Sequence, residues 1–245
     1  MIKLIIGGIG SGKSVTAVKE ICDRKNHVFT NFDIKADNII RLKTEHIIQE
    51  SENEKNEKKI DKTINWDFWN DYINTHGAFD IVIDEAHNVM HSRRAMSKWN
   101  ILFTTWLSQI RKILGSNENN HLYLVTQRLK GIDLAGRDLC HEIIYVSKFY
   151  VTNDGKMIKT DAPDSIPNLR YMNTRIKTYN GYKHKLLPQV FIMKHHFLGE
   201  YSVDKFEAFL DNGRTFDYRT MFLANPYFQF YNSYELINFG ESVYI

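Results

Sequence analysis

The side chains able to do chemistry gather at three points of the sequence. Near the start, Gly7, Gly8, Gly10 and Gly12 crowd together and run into Lys13 and Ser14. Further on, the apolar run Ile81-Val82-Ile83 ends in the acid pair Asp84-Glu85. Later still, the run Leu122-Tyr123-Leu124-Val125 ends in Thr126-Gln127. Gly7, Gly12, Lys13 and Ser14 fit the spacing G-x-x-x-x-G-K-[ST], with a strand-like run before and a helix-like run after. A polyphosphate needs many N–H donors at close range, and side chains would obstruct them. Glycines give the backbone that freedom, and the following helix adds its positive end. Gly7, Gly8, Gly10, Ser11, Gly12, Lys13, Ser14 and Val15 are therefore the candidate nucleotide cradle. Lys13 is expected at the β- and γ-phosphates of ATP, and Ser14 on Mg²⁺ through its hydroxyl.

An acid at the end of an apolar strand completes such a site. Asp84 is the expected second Mg²⁺ ligand, directly or through water, and Glu85 is either the general base for an attacking water or a surface acid in a turn. The paired acids favour hydrolysis over phosphate transfer to a small acceptor. Gln127 is either a γ-phosphate sensor or a strand-end glutamine bonded to a loop. Arg137, in "GIDLAGRDL", is a candidate arginine finger acting in a neighbouring subunit. Arg93, Arg94, Arg111 and Arg128 compete for that role, and ordinary ion pairing competes with it. His87, His91, His195 and His196 lack metal-ligand spacing and read as structural or surface histidines.

The elements that position these residues follow from periodicity. "IKLII" (2–6) reads as a buried strand, and Val15, Val18, Ile21 and Cys22 mark a helix from about residue 12 to 24. Residues 27–32, 79–84, 121–127 and 141–146 read as strands, and 66–73 as a short helix. Trp99, Leu102, Phe103, Trp106, Ile110, Ile113 and Leu114 place one apolar face on a long helix over 95–114. Residues 50–62, with five acids and four lysines, read as a solvated helix or loose insertion. Strands alternating with helices predict an α/β fold with a mostly parallel sheet. Beyond 147 the pattern changes, with a hairpin expected around Asn153-Asp154-Gly155 and a strand over 186–193. This divides the chain into a core, 1–147, and a hairpin-bearing C-terminal extension, 148–245, packed on the same core; the alternative is one single domain made by the two.

At 43% hydrophobic and 25% charged residues the composition is that of a folded globular protein. Two cysteines, Cys22 and Cys140, make no disulfide framework and suggest a reducing compartment. No signal peptide is expected, and no run of about 18 apolar residues predicts a membrane span. The net charge of +3 is uneven: residues 91–137 hold 8 Lys/Arg against 2 Asp/Glu. That segment is either a nucleic-acid surface or a solvated basic face.

Asp84-Glu85-Ala86-His87 spells the box of superfamily-two helicases, but those need two RecA-like domains and a single phosphate loop supplies one. A wider likeness covers "GGIGSGKS", "VFTNFDIK", "IVIDEAHNVMHSRR", "WLSQIRKI", "LYLVTQRLKGIDLAGRDLC" and "FYNSYELI". Across residues 1–235 the chain resembles the Zot-type (zonular-occludens-toxin-like) P-loop ATPases of bacteriophages, a branch of the FtsK–HerA superfamily. The resemblance implies a RecA/FtsK–HerA-like sheet of the additional-strand (ASCE) type, with Lys13, Ser14, Asp84 and Glu85 in an ATP·Mg²⁺ site and Gln127 as sensor. It also implies a homo-oligomeric ring, commonly a hexamer, acting on single- or double-stranded DNA without sequence preference. Virion or portal proteins would be further partners, in the host cytoplasm or the virion. Extrusion-type members carry a membrane span after the ATPase domain. None is read here, which favours genome packaging or puts the anchor in a separate subunit at the inner membrane. The rival readings are a filamentous-phage morphogenesis ATPase, a small-molecule kinase and a non-hydrolysing ATP switch.

Overall fold

Apolar residues in the central strands fall at both odd and even positions, as a sheet covered on both faces requires. The computed structural model describes residues 1–53, 56–90, 93, 97–115, 120–152, 156–159, 178–179, 182–183, 189–198 and 216–231. Its strands are β1 (Ile2–Ile6), β2 (His27–Thr30), β3 (Ile39–Arg41), β4 (Ile48–Asn53), β5 (Asn56–Ile64), β6 (Phe79–Ile83) and β7 (Leu122–Thr126). Then follow β8 (Glu142–Val151), β9 (Met157–Ile158), β10 (Thr178–Tyr179), β11 (Tyr182–Lys183), β12 (Gln189–Phe197) and β13 (Tyr218–Leu223). The helices are α1 (Lys13–Cys22), α2 (Thr44–Ile47), α3 (Trp66–His76), α4 (Lys98–Gly115) and α5 (Leu134–Asp138).

The main sheet runs in the order β13-β12-β8-β1-β7-β6-β2-β3, with β9 paired to β8. The six strands from β8 to β3 are mutually parallel, whereas β12 and β13 join antiparallel. The protein is thus α/β with a mostly parallel central sheet flanked by helices. One face buries Leu4, Phe29, Phe79, Ile81, Leu122 and Leu124 against Trp69 of α3 and Phe103 and Trp106 of α4. The other face buries Ile5, Val82, Tyr123 and Val125 against Val15, Val18 and Ile21 of α1. The alternation of 4 with 5, 81 with 82 and 122 with 123 is the period-2 signature of strands.

Several expectations change. Residues 50–53 and 56–62 are not a helix or a loose insertion: β4 and β5 form an antiparallel ribbon pairing Ile48 with Ile64 and Glu50 with Lys62. The buried Ile48 and Ile64 anchor its base, and Glu50 and Lys62 meet at 2.9 Å across the strands. Opposed unlike charges support such a ribbon, a pattern that mimics helical charge spacing in sequence. Strand β2 ends at Thr30 rather than 32, and β8 extends past 146 to Val151. Residue 147 therefore lies inside β8, and β12 of the extension pairs along that strand. The expected hairpin appears as β8–β9, with Tyr150 opposite Ile158 and Val151 opposite Met157. Its turn, Asn153-Asp154-Gly155, lies outside the described residues, as do residues 95 and 96 of the expected long helix.

Trp69 is the hub of the first core, with ring centroids 5.1 Å from Phe29, 5.4 Å from Phe79 and 5.7 Å from Trp106. Trp69→Ala is expected to cost about 3–5 kcal/mol of stability. In urea titrations this would read as a lower midpoint at unchanged slope.

Candidate functional site

Four adjacent parallel strands, β1, β7, β6 and β2, end on the same edge of the sheet. Ligands in open α/β sheets bind beyond such carboxyl ends. The residues that follow are Gly7, Gln127, Asp84 and Asn31, so the three sequence clusters converge. Strand β7 lies between the loop-bearing β1 and the acid-bearing β6.

The loop turns tightly: the Ser11 amide donates to the Gly8 carbonyl at 3.2 Å, and the Thr16 amide to the Gly12 carbonyl at 2.9 Å. Gly12 precedes α1 at φ 94, with no side chain capping the helix. A Cβ at Gly12 would also collide with the Phe191 ring on β12, so glycine is required there twice over. Lys13 Nζ donates to the Gly8 carbonyl at 3.0 Å. Burial lowers the pKa of Lys13, and the nearby Glu85 and Asp84 charges oppose that fall. The Val15 side chain belongs to the core, so its part in the cradle would be its backbone alone.

Ser14 Oγ donates to Asp84 Oδ2 at 2.6 Å, joining the start of α1 to the end of β6. Asp84 is only 4% exposed, and burial pushes its pKa up against the hydrogen bonds from Ser14 and the Glu85 amide. Its backbone is clasped by Asn31, whose Nδ2 donates to the Asp84 carbonyl while its Oδ1 accepts the Asp84 amide, both at 2.8 Å. Sequence reading missed Asn31. The signal was present as a polar residue directly after an apolar strand, but the partner strand was not known.

Glu85 takes the left-handed conformation at φ 50, the one non-glycine residue at positive φ among those described. Such a conformation costs of order 1–2 kcal/mol. It breaks the strand alternation that would send Asp84 and Glu85 to opposite faces. Gln127 Nε2 donates to Glu85 Oε1 at 3.3 Å, and His87 Nδ1 lies 3.2 Å from Glu85 Oε2. His87 also lies 3.3 Å from Thr126 Oγ1. This histidine, read from sequence as structural or surface, is a neighbour of the candidate base. Arg137 lies on α5, between β7 and β8 in the chain. Its carbonyl accepts from the Cys140 amide, and His141 bonds Ile2 at the amino end of β1, away from the loop. His91 and Arg94 lie outside the described residues.

Among the described residues no group of three or more His, Cys, Asp or Glu could enclose a metal. The Ser14 hydroxyl and Asp84 carboxylate do fit Mg²⁺, which takes one or two protein oxygens and leaves its remaining positions to water and phosphate. Asp84 accepts Ser14 and one amide but forms no ion pair among the described residues. Its raised pKa means the ionised carboxyl weakens the folded state as pH rises through its titration. Asp84→Asn removes the buried charge; its Oδ1 can still accept the Glu85 amide, while its Nδ2 must donate to Ser14 Oγ, reversing that bond. Without nucleotide at neutral pH it should raise the melting temperature by about 2–4 °C, measurable by thermal denaturation, while removing Mg²⁺-dependent nucleotide binding.

Among solved structures, the chain is similar to the N-terminal domain of zonular occludens toxin from Neisseria meningitidis. That likeness has 16% identity and a TM-score of 0.47, and covers 94% of this chain and 98% of that one. It is also similar to the genome packaging NTPase B204 of Sulfolobus turreted icosahedral virus 2. With ATP-gammaS bound, the identity is 15% and the TM-score 0.39, covering 61% of this chain and 75% of that one. With AMPPCP bound, the figures are 14% and 0.38, covering 79% and 91%. Likenesses this distant carry no functional argument. No curated protein matches the chain. The family model described as "Zonular occludens toxin (Zot)" matches residues 1–194, a span that includes the phosphate-type loop, Asn31, the strand-end acids and Gln127. By that match the chain belongs to the zonular occludens toxin (Zot) family.

Proposed function

We propose that this chain is a viral P-loop ATPase that couples ATP hydrolysis to the movement of genomic DNA during virion assembly. The observation that carries the reading is the 2.6 Å contact between Ser14 and Asp84. It brings an uncapped, glycine-rich helix start onto a buried carboxylate from a distant part of the chain. A side-chain hydroxyl, a carboxylate, a lysine and a second acid then share one sheet edge, which is the equipment for Mg²⁺-assisted phosphoryl transfer.

In this reading the amides of residues 8–15 receive the phosphates, and Lys13 exchanges the Gly8 carbonyl for phosphate oxygen. Mg²⁺, held by Ser14 and Asp84 together with the phosphates, would neutralise charge on the transferring group. Glu85 takes the proton of the attacking water, with Gln127 and His87 fixing its carboxylate. Arg137 serves a neighbouring subunit's site in a homo-oligomeric ring. The basic 91–137 segment supplies phosphate contacts to DNA, and such contacts carry no sequence preference.

The test is ATP turnover by the purified chain with and without DNA. Lys13→Ala should abolish hydrolysis. Glu85→Gln should retain ATP binding and slow turnover at least about 100-fold, the scale of a lost general base. Wild-type turnover in Glu85→Gln removes the assigned base, and phosphate transfer to a nucleoside in place of water makes the protein a kinase. DNA affinity should fall linearly in log–log form with salt, by about 0.7 to 0.9 per phosphate contact. DNA binding that ignores salt rules out the translocation reading.

A further inference from the structure

The extension reaches the candidate nucleotide site twice. On β12, Phe191 packs on Gly12 at the start of α1. Beyond β13 the chain crosses over α1, through a 3₁₀ turn at Asn225–Gln229, to the loop after β2. Tyr227, Phe228, Phe230 and Tyr231 pack against the core that holds Val15, Val18 and Ile21, so α1 lies between the sheet and this aromatic strap.

The strap ends where Asp84 is held. The Phe230 carbonyl accepts the Lys35 amide at 2.7 Å, and Tyr231 forms an antiparallel bridge with Ile34. The Tyr231 ring meets Phe32 edge-on, with centroids 6.3 Å apart and planes at 84°. Phe32 is buried and directly follows Asn31, the residue that clasps both backbone groups of Asp84. The Asp84 charge is near enough to the Tyr231 hydroxyl to add to burial in pushing its pKa up to about 12.

We propose that Tyr231 is a positioning residue of the nucleotide site, whose ring, pinned to the backbone at 34–35, seats Phe32 and so fixes the Asn31 clasp that aims Asp84 at Mg²⁺. The inference rests on the nucleotide reading given above. Mg²⁺ demands near-ideal octahedral geometry, so a misdirected carboxylate weakens it. The amides of the glycine loop take phosphate without reference to residues 31–35. Loss of the Tyr231 ring therefore acts on the metal-dependent part of nucleotide affinity and spares the rest.

The experiment titrates the purified full chain with a fluorescent ATP analogue, once in excess Mg²⁺ and once in EDTA. Tyr231→Ala should bind about tenfold more weakly in Mg²⁺, the scale of coupling between contacting residues, and within twofold of wild type in EDTA. Tyr231→Phe should match wild type in both buffers. Asn31→Ala should show the same Mg²⁺-confined loss, and the double variant no further loss. Tyr231→Leu, which keeps apolar bulk and protects the test against misfolding, should lose at least threefold in Mg²⁺ alone. Equal loss in both buffers, no loss in either, or additivity with Asn31→Ala overturns the proposal. A wild-type chain that binds no analogue in either buffer overturns the nucleotide reading itself, an outcome distinguished by the wild-type titration alone.

Discussion

The hydrogen bond from Ser14 to Asp84 is the constraint on which the arrangement depends. It closes the gap between two elements that the chain makes far apart, and it is possible only because β1 and β6 point the same way with β7 between them. A helix start carries donors and partial positive charge, and a strand end carries a carboxylate. A buried carboxylate left without donors would be expelled or protonated. Ser14 and the Glu85 amide hold Asp84 in place, yet no cation neutralises it by ion pairing among the described residues.

The two ends of the sheet treat charge differently. At the amino ends the buried acids are fully engaged. Asp80 is met by Arg24 at 2.6 Å, by Asn26 at 3.2 Å and by the His121 amide at 2.6 Å. Glu142 is met by Lys3 at 3.0 Å and His195 at 2.5 Å, and His195 also meets Thr220 of β13 at 2.9 Å. Those networks bind β1, β8, β12 and β13 to one another and fasten the extension to the core. At the carboxyl ends the polar groups are linked more sparsely, through Ser14, Asn31, Gln127 and His87. Groups with spare hydrogen-bonding capacity and a backbone strained at Glu85 belong where a ligand is to be received.

The described strands β12 and β13 of the extension continue the core sheet. Strand β12 lies along β8 and sets the Phe191 ring on Gly12, while the segment after β13 covers α1 and meets the loop behind Asn31. Movement of those outer strands would be felt by the glycine loop and by the Asp84 carboxylate together.

How much was legible in the sequence follows from the range of the forces involved. The glycine loop with Lys13 and Ser14, the acids closing an apolar strand, and the alternation of strands and helices are local patterns. They announced an α/β fold and the candidate residues Lys13, Ser14, Asp84 and Glu85. The ribbon at 48–64 misled because charge spacing alone does not separate a solvated helix from paired strands, and its two anchoring isoleucines lie far apart in the chain. Asn31, His87 and Tyr231 were not legible as site residues for a similar reason. Each matters only through a neighbour that strand order brings to it: Asn31 through β2 beside β6, His87 through the left-handed turn at Glu85, and Tyr231 through a strap that crosses α1. The sequence by itself determined which groups are the candidates for phosphate and metal, because candidacy is set by residue type and short spacing. Only the tertiary structure decided what holds those groups in aim, because contacts across strands depend on the order in which the sheet is assembled.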